Sequence, residues 1–392
     1  MRSIGIICEY NPIHLGHEYH IQQTKRFYGG NCAVVCIMSG NFVQRGDVAV
    51  FSKQARARAA VLCGADLVLE LPTPYVLCSA EGFARAGVYI LDKIGICEGI
   101  SFGSESGDLQ TLIEAARVMT SEKARDFLRK WLESGISYAQ AMQNAADEIF
   151  IEKSDIFKTP NNVLGIEYLK AIDFYGSNLK AITITRTGGA HDSGVGYCAS
   201  NLRNILKEGK KPWELTPAAA VPIFEREIAD GRGPAFFENY EALMLSRLRY
   251  CFNYTNILKV SGDLERRFWK YARSEPTVHD ILEKVKTKRY VMSSVRRMLL
   301  SACLGISADL RAEPPPFVKV LALNRVGAKL LKSAQDKSKI QIITKPAEAK
   351  KLKLRAGELF EKEVMATDFY TLAFSENQRR GGSEWRNSPA VV

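Results

Sequence analysis

No stretch of this 392-residue chain approaches the ~20 consecutive apolar residues that cross a bilayer, so a helical membrane protein is not expected. The N-terminal MRSIGIICEYN meets an acid at Glu9 and lacks the apolar core of a secretion signal. CxxC pairs are absent and the nine cysteines are an odd number, which argues against a zinc ribbon or a disulfide framework. Reduced thiols used as small hydrophobes in the cytoplasm are expected instead. Internal repeats and low-complexity tracts are also missing. Hydrophobic residues at 46% and charged residues at 25% are ordinary values, excluding a disordered or collagen-like chain. The length allows two or three domains, each with a core of its own.

What is present is unevenly spread. Lys and Arg number 54 against 43 Asp and Glu, a net charge of +11. Residues 1–200 hold 19 basic and 21 acidic side chains, whereas residues 201–392 hold 35 and 22. Such asymmetry points to a polyanionic partner, with a merely solvated basic surface as the alternative.

The first part alternates apolar runs with helical patterns. Strands are expected at Ser3–Cys8, Ala33–Met38, Asp66–Leu71, Gly99–Phe102 and Ala181–Thr185, mostly continuous Ile/Val/Leu runs suited to burial on both faces of a parallel sheet. Helices are expected between them, which argues a doubly wound α/β domain over residues 1–200. Residues 201–312 read as mainly helical. After Glu313-Pro-Pro-Pro-Phe317, residues 313–392 read as a small α/β segment: strands Phe317–Leu323 and Ile340–Thr344 around a Lys-rich helix, then a frayed polar tail from Glu376.

Histidine is scarce, yet three of the five in the chain, His14, His17 and His20, fall within seven positions directly after the first strand. That edge of an open α/β sheet is where ligands bind, and a helix N-terminus offers unpaired N–H groups to an anion. Three uses are open: a metal pair at i, i+3, satisfied core histidines, or donors to phosphate oxygens as pyrophosphate leaves. Asn161-Asn162 reads most simply as a helix N-cap. His191-Asp192 reads as an acid–base pair or a turn, and His279, on a Val/Ile face, as structural.

His14-Leu15-Gly16-His17 resembles the His-x-Gly-His signature of the nucleotidylyltransferase superfamily. The longer runs Glu9–His17 and Met38–Asp47, with Asp66–Pro72, Phe102–Glu105, Pro160–Gly165, Lys286–Tyr290 and Arg296-Arg297, are similar to the tRNA(Met) cytidine acetate ligase family. The resemblance implies a Rossmann-like nucleotidylyltransferase sheet followed by a helical RNA-binding region. It implies activation of acetate by ATP to acetyl-adenylate, then acetyl transfer to the exocyclic amine of the wobble cytidine of elongator tRNA(Met). Magnesium would accompany ATP, and neither a membrane nor a protein partner is implied.

In that family ATP lies along the first-strand loop, which maps onto Ile7, Cys8, Glu9, Tyr10, Asn11, Pro12, Ile13, Leu15, Gly16 and His20, with Gly103, Asn162 and Arg186 as further contacts. The chemistry needs no side-chain nucleophile, because acetate itself attacks. His14 and His17 would donate to the α- and β-phosphates, Lys53 or Arg45 would add fixed charge, and Arg186 and Arg203 would clamp the outer phosphates. This chain departs from the family at Arg186–Asp192, one residue short and without the usual Tyr. It departs again at Ala199-Ser200-Asn201-Leu202-Arg203, where relatives carry Ser-x-Thr-x-x-Arg.

The run from Lys284 to Arg297 holds Lys284, Lys286, Lys288, Arg289, Arg296 and Arg297 with no acid, and Tyr290 offers a stacking face. These are the expected tRNA contacts, with a solvated helix face as the bland alternative. Arg266, Arg267, Trp269 and Lys270 form a second basic–aromatic cluster, unless Trp269 is core. Two other functions compete: a small-molecule adenylyltransferase that ignores RNA, and a non-catalytic RNA binder that keeps an ATP pocket as a sensor.

Overall fold

The computed structural model describes residues 1–186, 198–250 and 262–392. Its first part runs β1 (Arg2–Cys8), α1 (Leu15–Phe27), β2 (Cys32–Ser39), β3 (Phe42–Val43), β4 (Asp47–Val48), α2 (Lys53–Leu62), β5 (Leu67–Leu71), β6 (Gly99–Ser104) and β7 (Lys180–Thr185). The five longer strands match the expected ones to within a residue or two. They stand in the order β5-β2-β1-β6-β7, all parallel. Every residue of β2 and β5 is buried, which is why these strands are written in Val, Ile, Leu and Cys without alternation. From β1 the chain goes to β2 on one side and later to β6 on the other. The crevice at the carboxyl ends of β1 and β6 is therefore the topological switch point.

Two expectations about the last segment fail. β8 (Phe317–Leu323) pairs antiparallel with β5 and extends the same sheet, with β9 (Gln341–Ile343) parallel beside it. The tail is also docked rather than frayed: β10 (Ala390–Val391) pairs with β8, and Glu384 is 0% exposed. Ion pairs described below explain why so polar a sequence is held.

Helices Glu241–Tyr250, Gly262–Ser274, Val278–Val285 and Met292–Leu304 build a separate core around Met244, Leu248, Phe268, Ile281 and Leu299. Phe42 of β3 and Val48 of β4 join that core, so the β3–β4 hairpin ties the sheet to the helical region. His279 is exposed, contrary to expectation. Val278, Ile281, Leu282 and Val285 bury one face of its helix, and residue 279 stands about 100° round from Val278.

Candidate active site

β1 stops at Cys8, and the chain turns through Tyr10 (φ 45°) and Pro12 to start α1, with His14 as its N-cap. The Gly16 N–H donates to His14 Nδ1 (3.1 Å) and the His14 N–H donates to His17 Nδ1 (3.3 Å). The i, i+3 spacing of the two histidines is thus a reciprocal cap with imidazoles in place of Ser and Glu. It also fixes a tautomer. Each Nδ1 accepts, so each neutral ring carries its proton on Nε2. The rings stack at 3.7 Å between centroids, 27° from parallel. Two N–H donors are thereby presented together at the positive end of a helix.

All three histidines are held neutral. Burial lowers His14 and His20 to about 4 and His17 well below its usual value, and the Arg186 guanidinium depresses each further. Arg203 adds to the effect on His14. Its guanidinium donates to Asn11 O (2.9 Å) and Ser200 Oγ (2.9 Å). The Arg186 N–H donates to Ser104 O (3.0 Å), and a Cβ on Gly103 would lie 3.3 Å from Arg186 Cγ, so glycine leaves this arginine its path. Two cations and two neutral donors therefore converge on the switch point.

Neutral imidazoles have a consequence for pH. An unfolded histidine binds a proton near 6.5, whereas folded His14 and His20 do so near 4. Between those values the unfolded chain holds more protons, so these groups make stability fall as pH drops from 6.5 towards 4. Imidazole nitrogen resonances of His14 are expected to remain those of the neutral Nε2–H form, and those of His20 to remain those of a neutral ring, from pH 8 down to about 5.5. A midpoint near 6.5 for either ring would contradict this arrangement.

The loops around the histidines are braced from within. Glu9 is raised by burial, and its Oε1 accepts the Gln44 N–H at 2.6 Å. Asn11 Oδ1 accepts from the Val50 N–H at 2.8 Å. Arg56, 0% exposed, donates to the carbonyls of Phe51, Ser39, Gly40 and Glu9, joining the loops after β1, β2 and β4. Ile7, Tyr10 and Ile13 are buried in core clusters and Cys8 packs with them, so only their backbone can face a ligand. His20 is turned to β6, with Nε2 2.9 Å from Ser101 Oγ. Asn162 is not an N-cap, since Thr159 is. Its Oδ1 accepts from the Glu105 and Ser106 N–H groups while Glu105 Oε2 accepts its own N–H, a mutual latch on the loop after Gly103.

Other expectations need correction. Lys53 does not reach the switch point: its fully buried ammonium pairs with Glu70 (2.6 Å) and Glu384. Arg45, exposed in the β3–β4 turn and electrostatically coupled to Glu9, is the better-placed fixed charge. Arg296 and Arg297 turn inward against that hairpin. Arg296 pairs with Asp47 (3.3 Å) and lies over the Phe237 ring, and Arg297 donates to Gln44 O (3.3 Å). By contrast Lys284, Lys286, Lys288 and Arg289 are exposed, with Tyr290 half-buried beside them. Trp269 is 48% exposed rather than core. His191-Asp192 lies outside the described residues. Sequence reasoning missed Arg56 and Gln44. The signal for Arg56 was weak: a cation in the small-residue run Ala55–Ala60, where alanines leave room for a buried guanidinium.

Comparison with known proteins shows the family. A family model described as HIGH nucleotidyl transferase matches residues 1–384. A tRNA(Met) cytidine acetate ligase of Thermoanaerobacter sp. (strain X514) is 36% identical, covering 97% of this chain and 98% of its own length. One of Thermosipho africanus (strain TCF52B) is 34% identical over 100% of both. The crystal structure of Thermotoga maritima TmcAL bound with alpha-thio ATP aligns with a TM-score of 0.91 at 32% identity over 100% of both chains. This chain, with its paired histidines at the sheet's switch point, belongs to the tRNA(Met) cytidine acetate ligase family of HIGH nucleotidyl transferases.

Proposed function

We propose that the protein joins acetate to the wobble cytidine of elongator tRNA(Met) at the expense of ATP. The observation that carries this reading is the pair of neutral Nε2–H donors on His14 and His17 at the switch point, flanked by Arg186 and Arg203. An acetate oxygen attacks the α-phosphorus, the bond to the bridging oxygen breaks, and pyrophosphate leaves with the electron pair. The cytidine amine then attacks the acetyl carbonyl of the adenylate, the bond to the phosphate oxygen breaks, AMP departs with the electron pair, and the amine proton is lost to solvent. His14 and His17 donate to oxygens whose charge grows as pyrophosphate leaves, without having to give up a proton. Arg186, Arg203 and Arg45 supply fixed positive charge to the outer phosphates. The backbone from Ile7 to Gly16, with Gly103 and the Asn162 latch, lines the nucleotide.

Magnesium enters with ATP as part of the substrate. Among the described residues no three His, Cys, Asp or Glu side chains are arranged to hold a metal ion, and the Glu9 carboxylate already accepts from Gln44. The exposed cations Lys284, Lys286, Lys288 and Arg289, with the ring of Tyr290, suit an anticodon loop whose target base is already unpaired. A reducing cytoplasm suits both this substrate and the eight described cysteines, all free. Purified protein with ATP, acetate and elongator tRNA(Met) should release pyrophosphate only when acetate is present and should yield N4-acetylcytidine by mass spectrometry. Turnover that ignores the RNA would favour a small-molecule adenylyltransferase.

A further inference from the structure

Much of the positive charge of the second half falls outside the basic turn discussed above. Residues 325–355 hold ten Lys and Arg against two acids, Asp336 and Glu348, a net +8 of the chain's +11. Arg355 is turned to Glu313 and the Leu310 carbonyl, and the fold exposes most of the others. Helix Arg325–Lys337 buries Gly327, Leu330 and Ala334 against the sheet, which leaves Arg325, Lys329 and Lys332 on the opposite stripe at i, i+4 and i+7. Ile340, Ile343 and Ala349 are buried in the same apolar core as Leu330 and Ala334, so the segment that follows the helix is anchored to that core as well. Around the short helix Pro346–Ala349 it exposes Lys350, Lys351 and Lys353. Among the described residues none of Lys329, Lys332, Lys337, Lys350, Lys351 and Lys353 has a carboxylate within 4.0 Å. A surface that only needed solubility would gain nothing from so one-sided a composition.

We propose that this lysine face is a second RNA-contact surface, which takes ribose–phosphate backbone away from the modified base. The inference rests on the tRNA ligase reading above. It adds where the body of the RNA is held. The stripe carries no aromatic side chain, so it has nothing to stack a base on and reads charge alone. Base contacts are left to the Tyr290 turn. Each lysine that meets a phosphate releases a counterion, and the slope of log affinity against log salt steepens by roughly 0.7–0.9 per contact.

The test compares the wild-type chain with a Lys329→Glu/Lys332→Glu/Lys337→Glu variant, all three side chains being exposed and outside the candidate catalytic site. Binding of labelled tRNA(Met) is measured across a potassium chloride series, alongside the KM for tRNA and the affinity for ATP. The expected result is tRNA binding weakened about tenfold or more, a salt slope smaller by about 2 to 3, and unchanged ATP affinity. A Lys350→Gln/Lys351→Gln/Lys353→Gln variant should show the same effect with smaller amplitude. Unchanged slope and KM in both variants would overturn the proposal. So would loss of binding to poly-glutamate with tRNA binding intact, which would mark a protein-docking face. If the wild-type protein binds tRNA but makes no acetylcytidine, the ligase reading fails alone; if it acetylates and both variants keep their KM, the surface fails alone.

Discussion

His17→Asn is expected to lower acetate-dependent pyrophosphate release about 100- to 1000-fold, the usual cost of removing one donor aimed at developing charge. The substitution is chosen for its geometry. The side-chain amide of asparagine occupies the place of the imidazole Nδ1 edge, so its oxygen can still accept the His14 N–H that Nδ1 accepts at 3.3 Å. What asparagine cannot supply is the outer N–H, where Nε2 stands. Helix start and donor are thereby separated: thermal stability should stay close to wild type while turnover collapses. His17→Ala loses both, adding about 1 kcal/mol of destabilisation from the missing cap. Matched KM for ATP in wild type and His17→Asn would place the loss in the transition state rather than in ground-state binding. Full activity in His17→Asn would show that the second imidazole serves only to cap α1.

Glu384→Ala is expected to destabilise the protein by about 3–5 kcal/mol, the typical cost of breaking a buried ion pair from one side. The side chain is 0% exposed and accepts from both Lys53 and Lys319, two ammonium groups buried in the sheet. Burial alone would raise a carboxyl group; the two lysines instead pull Glu384 down to about 2. Burial also works against Lys53, yet Glu384 and Glu70 hold it above its ordinary value. Glu363, the third buried acid of the cluster, goes the other way: burial and the charge of Glu70 raise it to about 8. Glu384 is thus the carboxylate that the two buried ammonium groups share. Removing Glu384 leaves an uncompensated buried cation, which urea denaturation should read as a lower midpoint with little change in slope. A loss below about 1 kcal/mol would mean that water or Glu363 takes over the pairing.

The parallel half of the sheet was legible because β1, β2 and β5 are buried along nearly their whole length and so are written in almost continuous apolar runs, with Glu70 the one acid among them. The histidine cluster was legible because its spacing is itself a local interaction, a cap closed within four residues. Neither condition held for the rest. β8 is as apolar as β5, but nothing in its own residues tells that it pairs with β5 in the opposite direction. Lys53 looked like a phosphate ligand because its two nearest partners lie 17 positions on, at Glu70, and at the far end of the chain, at Glu384. The tail looked frayed for the same reason: a glutamate among Gly, Asn and Arg reads as solvated until a lysine from α2 and one from β8 are brought to it. Arg296 and Arg297 share one basic run with Lys288, and only the docked β3–β4 hairpin separates inward from outward members.

The lysines that Glu384 neutralises come from α2 and β8, and the strand that closes the sheet, β10, follows it. On a ribosome these groups emerge in order, lysine long before its second carboxylate. A nascent chain that has made only its first domain-length of residues holds the paired histidines and most of the nucleotide loop. It lacks Lys319 and Glu384, and the pairing of Glu384 with Lys53 spans hundreds of residues and carries a large loop-closure cost. Without residues 384–391, Lys53 and Lys319 would lose a shared carboxylate and β8 would lose the pairing of β10, so a local polar contact and a sheet edge stand or fall together.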